Sequence, residues 1–302
     1  MNLDQLTDSQ IGDFVLHDMI GRRAAMVLYR ATQQSLKRFV VVKVIELKSV
    51  PVQKDALEED FLAFTRRVVT LEFMHLQPIY DFGIVDDDYL FIAARFMAGD
   101  LHELLQTGAL PLDRTLELTM QIMQAVVFIH AQDMVHSSLT PHNVYIDEAH
   151  NAYIDDLELS RLVQAARTPT ELQLLLDEPF YMSVEQMQLK KPDFRSEMYS
   201  VGAIIYHMLT GVAPFSDGEI DFDSVLQRKL LNQVIPIRRF NPALPAALEK
   251  IVLRTLRANP AERFPDIKAL EKALSQQVKE LTPGGSVLSR VQDLFGRLRP
   301  GS

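Results

Sequence analysis

Between residues 14 and 47 three short apolar-rich runs, F-V-L-H-D-M-I, A-M-V-L-Y-R-A and R-F-V-V-V-K-V-I-E-L, are separated by polar or glycine-containing breaks, the pattern of an antiparallel meander. Residues 55–74 then carry Leu57, Phe61, Phe64, Val68 and Leu71 at helical spacing, which predicts one amphipathic helix. Residues 79–85 and 89–96 flank the turn Asp86-Asp87-Asp88 and predict a hairpin. After Gly99 the strand signals nearly stop, and residues 112–131, 196–210, 224–231, 246–256 and 264–274 all read as helices with an apolar stripe. This shift near residue 98 divides the chain into a lobe of five strands and one helix (1–97), a mainly helical lobe (98–281) and a linker T-P-G-G-S at 282–286 that opens a terminal segment (282–302). No internal repeat interrupts that order.

Composition narrows the function classes. A chain of 302 residues with 47% hydrophobic content can bury about 75% of its unfolded surface. The net charge of −9 argues against nucleic-acid binding, which depends on Lys and Arg neutralising phosphates. No apolar run approaches the ~20 residues that cross a bilayer, and the first residues, M-N-L-D-Q-L-T-D, lack the features of a signal peptide, so a cytoplasmic location is expected. Without cysteine, disulfides and thiolate metal sites are excluded. Within residues 287–298, Val287, Leu288, Val291, Leu294, Phe295 and Leu298 share one helical face, with Arg290, Arg297 and Arg299 nearby. That face suits docking back on the domain, a partner helix or an anionic membrane surface.

The stretch 135–156 carries the chemistry: V-H-S-S-L-T-P-H-N-V-Y-I-D-E-A-H-N-A-Y-I-D-D. It resembles the catalytic loop and metal-binding strand of bacterial-type serine/threonine protein kinases, in degenerate form. In that family the loop reads H-R-D-L-K-P-x-N, followed by a hairpin and D-F-G; His136, Leu139, Pro141, Asn143 and Asp156 stand at the matching places. The Asp that accepts the substrate hydroxyl proton is replaced by Ser138, the preceding Arg by Ser137 and the loop Lys by Thr140. Four further blocks follow in the family's order: P-F-Y-M-S-V-E-Q (179–186), R-S-E-M-Y-S-V-G (195–202), M-L-T-G-V-A-P-F (208–215) and N-P-A-E-R-F (259–264). The resemblance spans roughly residues 10–280 and implies an α+β, two-lobed protein-kinase-like fold. It also implies a buried ion pair between Glu185 and Arg263, and a central helix headed by Glu197 where the family has an Asp.

At the nucleotide site the resemblance is partial. A phosphate-covering loop needs glycines so that backbone N–H groups can reach the phosphates. The family's G-x-G-x-x-G is here Gly21-Arg22-Arg23-Ala24-Ala25-Met26. Only Gly21 survives, and Arg22 or Arg23 either supplies compensating charge or is solvated on a hairpin turn. Lys43 stands where the family's third-strand Lys meets the α- and β-phosphates. Phe64 stands where its helix Glu partner should be, which leaves Lys43 to pair with Asp156; Glu58 and Glu59 lie more than a turn away. Asn143 and Asp156 match the family's Mg²⁺ ligands, although D-F-G has become D-L-E, with Leu157 filling the apolar slot and Glu158 adding charge.

A neutral hydroxyl at Ser138 cannot act as the general base, a contribution worth about 10²–10⁴-fold in rate. Adjacent Ser137 and Ser138 beside His136 do not make a nucleophilic triad. Ser137 also cannot anchor an activation-segment phosphate on Thr168 or Thr170. The resemblance therefore implies a pseudokinase, with ATP and Mg²⁺ bound weakly or not at all, that serves a protein partner such as an active kinase as scaffold or allosteric regulator. An enzyme of low or atypical phosphotransfer and a non-hydrolysing nucleotide sensor are the competing readings.

Overall fold

The computed structural model describes residues 3, 6–23, 26–47, 54–86, 89–97, 99–176, 178–218 and 220–281. The terminal amphipathic stretch 287–298 and the linker before it lie outside the described residues.

The chain begins with β1 (Gln10–Ile11), β2 (Phe14–Arg23), β3 (Met26–Gln33) and β4 (Arg38–Glu46), followed by α1 (Lys54–Val69), β5 (Ile79–Val85) and β6 (Tyr89–Arg95). Among the described residues these strands form one antiparallel sheet in the order β1-β2-β3-β4-β6-β5. The five expected strands are present, and the two-residue β1, too short to show a period, adds an edge beside β2. The helix α1 stops at Val69, five residues short of the apolar pattern, and Leu71 and Phe73 pack on the helical lobe from the loop beyond it.

Strand alternation sorts the residues of β4 between two cores. Val40, Val42 and Val44 join Phe14, Leu16, Tyr29 and Phe91 on the outer face, which is covered by Leu3 and Leu6. The Leu6 amide donates to the Tyr29 hydroxyl at 3.3 Å, and that hydroxyl donates to the Leu3 carbonyl. Val41 and Ile45 join Met26, Leu28, Leu90 and Ile92 on the inner face, against Phe61 of α1. Lys43 lies between Val41 and Ile45 and shares their inward direction.

The second lobe runs through β7 (Gly99–Asp100), α2 (Leu101–Leu105), α3 (Leu112–Ala131), β8 (Val144–Ile146), β9 (Ala152–Ile154), α4 (Ser160–Ala165), α5 (Pro169–Leu175), α6 (Val184–Met187), α7 (Phe194–Thr210), α8 (Phe222–Leu230), α9 (Ala246–Thr255) and α10 (Ile267–Leu281). β7, β8 and β9 make a small antiparallel sheet. α7 is the buried axis of this lobe. Asp193 caps its start by accepting from the Arg195 and Ser196 amides, and Gly211, at φ 75°, ends it in the left-handed conformation that only glycine adopts freely. α9 approaches so closely that a Cβ on Gly202 would lie 1.7 Å from the Thr255 hydroxyl oxygen.

Candidate active site

Lys43 is completely buried between the lobes. Its ammonium donates to Asp155 Oδ1 at 2.6 Å, Asp156 Oδ1 at 2.5 Å and Glu158 Oε1 at 3.2 Å. The pairing with Asp156 was expected once Phe64 replaced the helix Glu; Asp155 and Glu158 were not expected to join it. They do so because Asp156 adopts a left-handed backbone, φ 65°, and the 3-10 turn Leu157–Leu159 curls the next carboxylate back. The three side chains are 1%, 6% and 1% exposed, so burial opposes every charge in the group. Burial pulls the Lys43 ammonium down, but the three carboxylates outweigh it and hold its pKa well above the usual value. Burial pushes the Asp155 carboxyl up, only partly offset by Lys43. Burial and the two aspartates push Glu158 up to about 7 against the pull of Lys43.

The catalytic loop is held by its backbone. His136 is fully buried, its Nε2 2.6 Å from the Asp155 carbonyl oxygen, and its amide donates to Glu197 Oε1 at 3.0 Å. The extra methylene of Glu197 therefore still allows a bond to the loop, and its second oxygen meets His130 Nε2 at 2.5 Å. Ser138 Oγ lies 3.1 Å from His136 Nδ1, but the other face of that ring meets a carbonyl, so no Ser-His-acid relay forms. Ser137 takes φ 67°, and its carbonyl accepts from Gln186 Nε2 at 2.6 Å. Asn143 spends both ends of its amide inside the loop: Oδ1 accepts from the Thr140 amide at 2.9 Å and Nδ2 donates to the Ser138 carbonyl at 2.5 Å.

The segment after Asp156 closes the cleft. Leu159, Leu162, Val163 and Ala166 follow helical spacing, and α4 presents them to two cores at once. Leu162 and Leu159 pack under the sheet with Met26, Leu28 and Val41, while Val163 and Ala166 join the core of the helical lobe. Burying one leucine in this way is worth about 1.5–3 kcal/mol. Phe64 is buried in the same core as Leu157. The side chains of Glu58 and Glu59 lie outside the described residues. Met26, Ser138, Asn143, Asp156, Glu178 and Tyr181 line a cavity of about 70 Å³, below the roughly 300–1,000 Å³ of small-molecule sites, and a cavity of about 400 Å³ borders Asp155, Asp156 and Glu158 from the side of Leu76, Gln77 and Ile154.

Gly21 stands apart from this cluster. It lies in β2 paired with Leu28, a Cβ there would meet open space, and the pairing continues to Arg23 with Met26. Ala24 and Ala25, in the stretch expected to cover phosphates, lie outside the described residues. Glu185 and Arg263 form a two-armed pair, Nη1–Oε1 2.7 Å and Nη2–Oε2 2.9 Å. Burial raises the Glu185 carboxyl, but the guanidinium prevails and leaves it below its ordinary value. One anchor of the segment has no local signal in the chain. Lys229, on an amphipathic helix where a lysine suggests a solvated face, is fully buried and donates to the carbonyls of Pro179 at 2.7 Å, Phe180 at 3.0 Å and Met182.

Mg²⁺ and ATP do not fit this arrangement. Oxygen atoms of Asp155, Asp156 and Glu158 lie within 4.8 Å of one another, a spacing suited to a cation, but the Lys43 ammonium already bonds all three. Leu162 and Leu159 fill the space under the sheet.

The protein kinase domain family matches residues 14–277. Serine/threonine-protein kinase pkn3 of Myxococcus xanthus is 28% identical over 91% of this chain and 52% of its own length. Pkn2 of the same organism is 30% identical over 85% of this chain and 32% of its own length, and PrkC of Bacillus subtilis 26% identical over 86% and 40%. The chain thus spans about half or less of these curated relatives. The crystal structure of the PknI kinase domain of Mycobacterium tuberculosis superposes with a TM-score of 0.70 at 19% identity, covering 90% of this chain and 98% of that one. The likeness in fold and the match over residues 14–277 agree: this chain belongs to the protein kinase domain family.

Proposed function

We propose that this kinase domain acts as a pseudokinase, a shaped binding and regulatory module for a protein partner such as an active kinase, and that it transfers phosphate slowly or not at all. The observation that carries the reading is Lys43, the family's phosphate-contacting residue, buried and bonded to three carboxylates. Charge neutralisation and positioning supply most of the catalysis in this fold, and a lysine so engaged supplies neither to a phosphate. Ser138 in place of the proton-accepting Asp and the 70 Å³ cavity support the same conclusion.

The names of the relatives favour a second reading, a serine/threonine kinase of low or atypical ATP-dependent activity. That reading requires α4 to leave the cleft and Lys43 to part from Asp155 and Glu158. Two measurements on the same preparation separate the readings: melting with ATP, with and without Mg²⁺, and transfer of labelled γ-phosphate to a protein substrate. A ligand at ~100 times its Kd would stabilise the fold by about 2.7 kcal/mol. We expect no such shift and no transfer, from the native chain or from Ser138→Asp. Transfer by the native chain that Lys43→Ala abolishes would overturn the proposal.

A further inference from the structure

A second cluster of donor groups reaches the cavity beside Ser138 through His142 and Glu178. His102 of α2, His142 of the catalytic loop and Glu178 of the activation segment bring one donor atom each within 4.8 Å of one another. The three come from separate stretches of chain, and each is partly exposed. The imidazole rings of His102 and His142 stack with centroids 3.8 Å apart at 22°. His142 Nε2 stands 4.0 Å from Glu178 Oε1.

The surroundings orient these groups. Asp100 Oδ1 accepts from the Glu103 amide at 2.8 Å and so caps α2, which fixes the carboxylate. Its Oδ2 lies 3.2 Å from His142 Nδ1. Carboxylates that receive the far N–H of a ligating imidazole hold its tautomer and raise its basicity, and here the arrangement leaves the Nε2 lone pair facing Glu178. His102 Nε2 lies 2.8 Å from Gln106 Nε2, and a turn of that amide to accept the imidazole proton leaves the lone pair on Nδ1.

We propose that His102, His142 and Glu178 bind one divalent transition-metal ion, Zn²⁺ foremost, with a water completing four-coordination. Two imidazoles and one carboxylate are a recognised Zn²⁺ ligand set, and imidazole selects this group of metals over Mg²⁺ and Ca²⁺. Asp100 and Glu178 together carry the charge that balances the ion. Ligand atoms around tetrahedral Zn²⁺ lie about 3.3 Å apart for bonds of about 2.0–2.1 Å. The present spacing of up to 4.8 Å is wider, so binding requires the partly exposed His102 ring to turn out of the stack and Glu178 to close on the ion. The bound ion ties the activation segment, through Glu178, to the loop that carries Ser138 and Asn143. Both His142 and Glu178 line the cleft, so the ion clamps it shut. The site stands whether or not the chain transfers phosphate.

The test is a Co²⁺ titration of the untagged, metal-stripped full chain, read by the visible d–d bands of four-coordinate Co²⁺, followed by displacement with Zn²⁺. One equivalent bound with micromolar affinity and displaced by Zn²⁺ is expected. His142→Ala and Glu178→Gln should each abolish the four-coordinate spectrum. Asp100→Asn should weaken binding by about 10–100-fold. His150→Ala, at an exposed site elsewhere, should bind as the native chain does. Melting of each metal-free variant checks its fold, and His102→Gln at a partly exposed position replaces any variant that fails to fold. Binding of undiminished strength in His102→Ala/His142→Ala, or no four-coordinate spectrum at millimolar Co²⁺, overturns the proposal.

Discussion

Replacing Lys43 with Met tests whether one cation holds the closed cleft together. The side chain is fully buried and its ammonium lies 2.6, 2.5 and 3.2 Å from three carboxylates that are themselves almost inaccessible. Methionine fills a similar volume but leaves those carboxylates facing one another. Removing one partner of a buried ion pair costs about 3–5 kcal/mol. In a domain of this size each kcal/mol lowers the melting temperature by about 2–4 °C, so a loss of about 6–20 °C is expected near pH 8. The loss should shrink on acidification, because protonating Glu158 and Asp155, both already raised by burial, removes the repulsion. Lys43→Met/Glu158→Gln should recover part of the loss near pH 8 for the same reason. Circular-dichroism melts of the three chains between about pH 5.5 and pH 8.5 make the comparison. A Lys43→Met chain that melts within about 2 °C of the native near pH 8, or with a deficit that pH does not change, refutes the reasoning.

Two groups give the native chain opposing pH dependences. Glu158 moves from an ordinary 4.5 up to about 7, so between those values the folded state holds a proton that the unfolded state has lost. Stability then falls as pH rises through that window, by roughly 3 kcal/mol, and Glu158→Gln should flatten the urea-midpoint profile there. His207 moves from 6.5 down to about 4 through burial and the nearby His102. The unfolded state binds that proton first, so stability falls by roughly 3 kcal/mol as pH drops from 6.5 to 4, and the fall should be absent in His207→Gln. Arg263→Ala strands the Glu185 carboxylate and three carbonyl bonds, and should cost about 3–5 kcal/mol in urea unfolding; a loss below about 1 kcal/mol would contradict the geometry. Gly202→Ala places a methyl against Thr255 and should cost about 1–3 kcal/mol, and an unchanged midpoint would show that α9 yields freely.

The parts of the fold that local pattern specifies were legible in the chain. The apolar run V-V-V-K-V-I marked a buried strand, the family resemblance singled out its Lys43, and the spacing of Asn143 and Asp156 set the register of the cleft. Less local features were hidden. The helix α4 is six residues long, and its Leu162 and Val163, with Leu159 and Ala166 flanking it, are stable only against two lobes already assembled. The T-P-T-E sequence at 168–171 is a complete capping box for α5, with the Glu171 amide donating to Thr168 Oγ1 at 3.1 Å, and it offered a local sign of a helix there. Asp155 and Glu158 flank the position that the family register picks out, and nothing local tells that a positive φ at Asp156 will turn both toward one ammonium. Glu197 reaches its loop amide because His130 takes up its second oxygen, a pairing 67 residues distant in sequence.

Lys229 makes the activation segment self-reporting. Its amine is shut away among the carbonyls of Pro179, Phe180 and Met182, and burial together with the Arg263 guanidinium pulls its pKa well below that of an ordinary lysine. An amine-reactive label should spare it while the segment stays docked, and modify it at the rate of an exposed lysine once the segment lifts away. A mass spectrometer following that single adduct would read whether a partner or a ligand pries the segment loose.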